Sequence, residues 1–350
     1  VSAMAQSDFF VKSKEVHQVK ILNQGLPSLE LRLQMIERAK ESIVAEYFIY
    51  DTDPSSRLFN QALAKKAKEG VKVRVLLDAF MTKPQIDPFH LRELELAGIE
   101  IKFFNTAPLI RVVKAQYRNH RKLLAIDNTE AIIGGRNIAD EYFDLREDFN
   151  FVDQELWVKG PIVANIMRTF DVFWEAKLSV KGKWPRKPRL SDIKYRVYTS
   201  GMLADEQVRF NDKLLKRSMK ALNQDLKRWE QRDLEARQFL DVNSDDLALR
   251  EKVANFSEPL LAKITTGSCE EITFISDLPE WGKRSRKRRK LKYEIFKRME
   301  ESKQRLYIDS PYFITDRQSK KVLKRSFSKD KKLRLITNGL FSTDAIYVNA

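Results

Sequence analysis

Two short apolar runs separated by a single turn constrain this chain more than any other feature. Lys122 to Ile126 and Ala131 to Ile133 have the composition of two neighbouring buried strands. His120 lies two residues before Lys122, so on a strand both side chains point to the same face. A Gly-Gly pair follows the second run, and Asn137 after it is predicted to open a helix. The sequence therefore predicts an imidazole, an ammonium and an amide at one end of a strand pair.

These three groups suit a tetrahedral phosphoryl group. Lys122 can neutralise one phosphoryl oxygen, and Asn137 can donate a hydrogen bond to another. The reference pKa of histidine lies near neutrality, so His120 can act as a nucleophile or as a proton carrier. The structural alternative is a satisfied histidine at a strand end, with Asn137 as an ordinary helix N-cap.

The full pattern resembles the signature of a known superfamily. H-x-K-x4-D over residues 120–127, followed by G-G-x-N over residues 134–137, is similar to the motif of the phospholipase D superfamily. The surrounding sequence resembles bacterial cardiolipin synthases from about residue 29 to 177, and again from about 271 to 350. The resemblance implies transfer of a phosphatidyl group from one phosphatidylglycerol to another through a phosphohistidine, with no cofactor and no metal.

The same resemblance implies roles for individual residues. His120 would form the phosphohistidine or act as its acid–base partner, while Lys122, Gly135 and Asn137 would hold the phosphoryl oxygens. Asp127 completes the catalytic motif and is expected to support the turn rather than touch substrate.

A carboxylate is also expected to orient the catalytic imidazole. Residues 151–158 are predicted to form a strand with Asp153 and Glu155 on one face. Asp153 matches the family's position before a Gly-Pro pair, and such a carboxylate would set the imidazole tautomer. Asp148 is the competing candidate, and an exposed carboxylate on an edge strand is the structural alternative.

Strands and helices alternate in the first half of the chain. Strand patterns at 43–50, 71–77 and 99–104 are separated by helical patterns, which predicts an α/β sandwich with a mixed, largely parallel sheet. The predicted division is an N-terminal segment, a first phospholipase D-like lobe, a charged helical insert and the beginning of a second lobe, at residues 1–27, 28–177, 178–268 and 269–350.

The second lobe is inferred from an internal repeat. The stretch from Glu41 to Asp78 recurs in spacing and composition from Glu301 to Asn338. In the first copy His120 follows 42 residues after Asp78, and the same interval after the second copy passes the last residue. Members of the family pair two such histidines, so the natural protein is expected to continue. A partner subunit that supplies the second histidine, or an inactive homologue, are the alternatives.

Charge predicts an anionic partner. Lys and Arg total 65 against 49 acidic residues, a net charge of +16, which suits a phospholipid surface or nucleic acid. The basic run at 283–290 contains Arg284 and Arg286, which are predicted to contact lipid phosphates. Nucleic-acid binding would use the same residues.

Two features of the sequence indicate where in the cell the protein is located. No apolar run approaches the roughly 18 residues of a membrane span, and Ala3-Met4-Ala5 resembles the end of a signal peptide. We expect a bacterial, peripheral membrane protein, exported or on the cytoplasmic face.

The single cysteine, Cys269, excludes a disulfide within the chain. His17 is predicted to be a surface residue, and His90 to be packed or exposed rather than catalytic.

The sequence is also compatible with two alternative functions. The first is a nuclease or phosphodiesterase of the same superfamily, which the positive charge would serve equally well. The second is a non-catalytic basic protein that binds a lipid surface and carries a vestigial site.

Overall fold

The computed structural model describes residues 10–107, 117–192, 204–279, 290–310, 315–326 and 331–337. The chain divides into two compact units. Residues 11–274 form the larger unit, and residues 1–10 with 275–350 form the smaller one. Among the described residues, no helix is both long enough and apolar enough to cross a membrane.

The strands are β1 (Phe10–Ser13), β2 (His17–Leu22), β3 (Ser42–Tyr47), β4 (Lys72–Asp78), β5 (Glu100–Phe104), β6 (Leu123–Ile126), β7 (Glu130–Gly134), β8 (Glu155–Lys159), β9 (Ser179–Lys181), β10 (Gly267–Cys269), β11 (Ile272–Ile275), β12 (Arg305–Asp309) and β13 (Lys332–Ile336). The helices are α1 (Gly25–Arg38), α2 (Pro54–Lys68), α3 (Ala79–Gln85), α4 (Pro88–Leu96), α5 (Ile162–Trp174), α6 (Ala204–Leu240), α7 (Ser244–Lys263), α8 (Lys290–Glu301) and α9 (Arg317–Ser326).

A nine-stranded mixed sheet organises the larger unit, in the order β10-β2-β8-β7-β6-β3-β4-β5-β9. The α/β architecture expected from the sequence is confirmed. The expectation of largely parallel pairing is wrong, because only β3–β4 and β4–β5 are parallel. Strands β6 and β7 are joined by residues 127–129, and so short a connection permits only antiparallel pairing.

Both faces of this sheet are covered by helices. On β3, Ile43 and Ala45 join the hydrophobic core that includes residues of α1 and α2. On the opposite face, the Arg74 guanidinium of β4 stacks over Phe170 and Trp174 of α5, with its Cζ 5.1 and 5.7 Å from the ring centroids. The unit is therefore a helix–sheet–helix sandwich.

The two long helices of the predicted insert pack on this same unit. Arg92 of α4 pairs with Asp233 of α6, and Arg250 of α7 pairs with Glu30 of α1 at 2.5 Å. Residues 11–27 also contribute strand β2 to the sheet. The domain boundaries given from the sequence stay a prediction.

His17 corrects an expectation made from the sequence. It was predicted to lie at the surface, but it is fully buried on β2. Its Nε2 accepts the backbone N–H of Ile162 at 3.2 Å, so it caps the N-terminus of α5. His90 is packed as expected, with its ring stacked 4.0 Å from that of Phe239.

The smaller unit contains a second parallel βαβ element, made of β12, α9 and β13. It matches β3–α2–β4 closely. The N–H of Lys72 donates to the carbonyl of Glu41 at 3.0 Å, and that of Lys332 donates to Gln304 at 2.9 Å. Each helix also begins with an Asp-x-x-Ser cap: Asp53 accepts the N–H of Ser56 at 3.0 Å, and Asp316 accepts that of Ser319 at 2.7 Å.

Candidate active site

Several of the predicted site residues lie at one edge of the large sheet. Strands β3 and β7 end at this edge and β6 and β8 begin there, because the pairs β3–β6, β6–β7 and β7–β8 are all antiparallel. Strand β4 is parallel to β3 and ends at the same edge. Lys122 directly precedes β6, Gly135 directly follows β7, and Asp153 lies two residues before β8. The topology therefore brings together residues from three separate segments.

His120 and Lys122 are in direct contact. The Lys122 Nζ lies 2.9 Å from His120 Nδ1 and 3.1 Å from Nε2, and it donates to the His120 carbonyl at 3.0 Å. The Phe48 ring lies against the imidazole, with centroids 4.6 Å apart. Lys122 is buried, whereas His120 keeps an exposed side chain. The imidazole is thus open to a ligand while the ammonium beneath it is shielded.

The surroundings of these two groups shift both of their pKa values. Desolvation, and then the Lys122 ammonium, lower the pKa of His120 to about 4. Desolvation lowers the pKa of Lys122 to about 8, although the Asp153 and Asp78 carboxylates oppose that shift. At neutral pH these shifts favour a neutral imidazole beside a charged ammonium.

Asn137 lies two residues after Gly135 and is buried. Its Oδ1 accepts the backbone N–H of Ile49 at 2.9 Å, so the amide NH₂ is the part left for a ligand. The following residue, Ile138, pairs with Tyr50 after β3. The expected helix through Tyr142 does not start at Asn137; a short 3₁₀ turn forms at Asp140–Tyr142 instead, because this backbone pairing holds Asn137 and Ile138 extended.

The two glycines let the β7 end approach the start of β8. A Cβ on Gly134 would overlap Glu155, and a Cβ on Gly135 would overlap the Asp153 carboxylate. The backbone N–H of Gly135 donates to the carbonyl of Gln154 at 3.3 Å. A side chain at either position would push β8 away from the site.

Asp153 does not occupy the position expected from the sequence. It precedes β8 rather than lying within it, because the strand begins only at Glu155. Its Oδ1 accepts the N–H of Gln154 at 2.9 Å. In the described part of the chain no hydrogen bond joins it to His120, and its charge acts on Lys122. Asp148, the competing candidate, is exposed and paired with Arg146 at 2.7 Å.

Asp127 lies at the opposite end of β6 from Lys122. Its carboxylate accepts the backbone N–H groups of Lys40, Glu41 and Ser42, each at 2.8 Å. Its backbone has a positive φ of 49°, which Asp tolerates better than most residues. The motif aspartate therefore ties the β6–β7 turn to the start of β3.

Two buried carboxylates that sequence reasoning missed hold the segment around His120. Glu46 of β3 accepts a hydrogen bond from Asn119 Nδ2 and pairs with Arg121 at 3.3 Å. Asp78 at the end of β4 accepts the Asn119 backbone N–H at 2.9 Å. Burial raises the pKa of Glu46, partly opposed by Arg121 and Asn119. A single carboxylate inside an otherwise apolar strand was the signal that could have identified it.

Some predicted features are not part of this geometry. Arg284 and Arg286 lie outside the described residues. Cys269 is partly exposed on β10, where its Sγ donates to the carbonyl of Glu271 at 3.1 Å. Among the residues that the structure describes, no cluster of three or more His, Cys, Asp or Glu side chains could hold a metal ion.

Known proteins match this chain in sequence. Residues 33–174 match the family model described as "Cardiolipin synthase, PLD-like domain". The chain is 27% identical over 339 residues to an uncharacterized protein of Helicobacter pylori strain J99, covering 94% of this chain and 60% of that protein. It is 28% identical over 344 residues to cardiolipin synthase C of Escherichia coli K12, covering 94% of this chain and 64% of the enzyme.

A solved structure shares the fold. The phosphatidylserine synthase of Haemophilus influenzae Rd KW20 aligns with a TM-score of 0.53 at 12% identity, over 91% of this chain and 61% of that one. Residues 33–174 carry a phospholipase D-like domain of the cardiolipin synthase type, and the chain is cardiolipin synthase-like in sequence. The chain spans somewhat under two thirds of the length of the relatives named above that match it over most of its residues.

Proposed function

We propose that this chain carries the nucleophile of a phosphatidyltransferase that makes cardiolipin from phosphatidylglycerol. The observation that carries the proposal is the Lys122 ammonium held against both ring nitrogens of His120. Desolvation and this ammonium together lower the pKa of His120 to about 4, and an unprotonated imidazole is a good nucleophile and a poor acid at neutral pH. His120 is therefore assigned as the nucleophile rather than the acid of the pair.

The reaction has two displacements at phosphorus. A lone pair on His120 attacks the phosphorus of one phosphatidylglycerol, the phosphorus–oxygen bond to the head-group glycerol breaks, and glycerol leaves with a proton from a general acid. The hydroxyl of a second phosphatidylglycerol then attacks the phosphohistidine and gives its proton to the conjugate base of that acid. The phosphorus–nitrogen bond breaks, which forms cardiolipin and releases His120. Lys122 and Asn137 stabilise the charge that develops on the phosphoryl oxygens.

The general acid is assigned to a second histidine outside the described site. It would come from further chain sequence or from a partner subunit. Losing such an acid costs roughly 10²–10⁴ in rate. A test of His120 should therefore use a leaving group that needs no proton.

Such a test uses a phosphatidyl ester of p-nitrophenol in mixed vesicles. We expect a burst of one p-nitrophenolate per chain, with a phosphatidyl adduct on the peptide that contains His120, identified by mass. His120→Ala should abolish both, and His90→Gln, which alters a histidine stacked on Phe239, should retain both. Absence of the burst and the adduct in the unaltered chain would overturn the proposal.

A second substrate distinguishes phosphatidyl transfer from nuclease activity. Thymidine 5′-p-nitrophenyl phosphate has the same leaving group on a nucleotide. A faster burst from the lipid ester supports phosphatidyl transfer, and a faster burst from the nucleotide ester would move the assignment to a phosphodiesterase acting on nucleic acid.

A further inference from the structure

The middle of helix α6 carries a dense row of cations. Between residues 213 and 228 the sequence contains six Lys or Arg residues and one acidic residue, Asp225. All six basic side chains are exposed. Within the described residues only Arg228 has a carboxylate at ion-pair distance, Asp225 at 3.7 Å. The remaining cations are therefore available to an anionic partner.

One side of this helical stretch combines cations with exposed apolar side chains. Lys216, Lys220 and Lys227 are spaced by four and seven residues, so they lie along one side of the helix. Leu215 and Met219 lie beside this row, with 38% and 37% of their surfaces exposed. We call these three lysines and the two apolar residues beside them the lysine row. A helix face that mixes lysines with exposed apolar side chains is typical of binding at a membrane interface.

The second half of the same helix anchors it to the large unit. The Trp229 ring lies 6.0 Å from that of Phe89, and Asp233 pairs with Arg92 of α4. Phe239 stacks on His90. Because α6 is continuous from Ala204 to Leu240, the lysine row is held by the lobe rather than carried on a free tail.

We propose that the lysine row docks the protein on an anionic phospholipid surface, with the lysines at lipid phosphates and Leu215 and Met219 in the head-group layer. The apolar pair favours this partner over nucleic acid, since a phosphate backbone in water offers those side chains no burial. Cations near an anionic leaflet add their effects, each of them substantial. Docking does not depend on the reaction assigned to His120, and the two proposals can fail separately.

The test is sedimentation with vesicles of phosphatidylglycerol and phosphatidylcholine at low salt. The triple variant Lys216→Gln, Lys220→Gln, Lys227→Gln should lower the partition coefficient about a hundred-fold. Glutamine has a helix propensity similar to lysine, and circular dichroism checks that α6 persists. The matched control is Lys65→Gln, Lys68→Gln, Lys72→Gln, which removes three exposed cations from another part of the same unit and should change binding much less.

Further variants and ligands distinguish a phospholipid surface from nucleic acid as the partner. The variant Leu215→Ser, Met219→Ser should still bind vesicles at low salt. At high salt, where screening removes the electrostatic attraction, it should lose the residual binding that the unaltered chain retains. Equal losses in the triple variant and its control would overturn the proposal, because any three cations would then serve. The proposal would also be overturned if the triple variant bound vesicles normally and lost binding only to a DNA duplex. That outcome would assign the lysine row to nucleic acid.

Discussion

The Lys122 ammonium lies about 3 Å from the His120 ring and, after desolvation, is the second cause that lowers the pKa of that imidazole. Desolvation lowers the pKa of Lys122 itself, against the Asp153 and Asp78 carboxylates. In the proposed mechanism, Lys122 places a positive charge where negative charge develops on the phosphoryl group. The same charge adds to desolvation in lowering the pKa of His120, so in this mechanism one side chain both favours the nucleophilic form of the imidazole and stabilises the phosphoryl oxygens.

The pH dependence of the burst rate follows from these two pKa values. With the p-nitrophenyl lipid ester, the second-order rate constant should fall below about pH 4, as His120 is protonated, and above about pH 8, as Lys122 loses its proton. The rate is greatest between these limits because only there are the imidazole neutral and the ammonium charged. Stopped-flow absorbance across this range measures both limbs.

Lys122→Gln is the control for this profile. It should slow the burst about 10²–10³-fold, remove the alkaline limb, and shift the acid limb towards the ordinary histidine pKa of about 6.5. An acid limb near that ordinary value in the unaltered chain would contradict the assigned contact.

At the scale of elements, the β6–β7 hairpin depends on a carboxylate remote from the chemistry. Asp127 satisfies three consecutive backbone N–H groups before and at the start of β3. The same hairpin presents Lys122 at its other end. The aspartate of the motif is thus a structural group of the hairpin.

Asp127→Ala should therefore act on stability. We expect a loss of about 1–3 kcal/mol in the free energy of unfolding, since donors lose their acceptor and alanine tolerates the positive φ less well. Urea unfolding measures the loss, and the burst amplitude per folded chain should stay near one. Asp127→Asn, which tolerates that φ and keeps one acceptor oxygen, should lose less. A burst abolished in fully folded Asp127→Ala would give Asp127 a direct role in the reaction.

At the scale of the whole molecule, the larger unit contains its own core. The buried hydrophobic cluster extends from Leu22 to Leu261 and lies entirely within residues 11–274. Its sheet uses strands from both ends of that span, since β10 pairs with β2. A unit of this kind has the buried surface needed to fold by itself.

Residues 11–274 expressed alone should therefore fold. We expect one cooperative urea transition with a free energy of unfolding of about 5–15 kcal/mol. Circular dichroism and tryptophan fluorescence should give the same midpoint. A broad transition, or two midpoints that differ, would show that the unit needs the remainder of the chain.

Much of the fold could be predicted because its signals are local. The parallel elements β3–α2–β4 and β12–α9–β13 follow from apolar runs and Asp-x-x-Ser caps that lie within about 40 residues of each other. The β6–β7 hairpin follows from its short turn. His120, Lys122 and Asn137 were recognised from spacing, and the structure brings them to one edge.

Other features depend on partners far along the chain. His17 has polar neighbours in sequence, but β2 is enclosed between β8 and β10, and the N-terminus of α5 uses its ring nitrogen. Residues 151–154 read as strand, but Gly135 approaches there and the ladder starts at Glu155. Neither effect has a signal in the neighbouring residues.

The sequence by itself determined the chemistry of the site: one imidazole, one ammonium and one amide at spacings that a hairpin and a Gly-Gly turn present together. Only the tertiary structure decided their environment. The antiparallel order of β3, β6, β7 and β8 brings strand ends from distant segments to one edge, and burial there shifts the pKa values of His120 and Lys122. The reason is physical: spacing along a strand is a local property, whereas desolvation and Coulomb interaction depend on which residues surround a group in space.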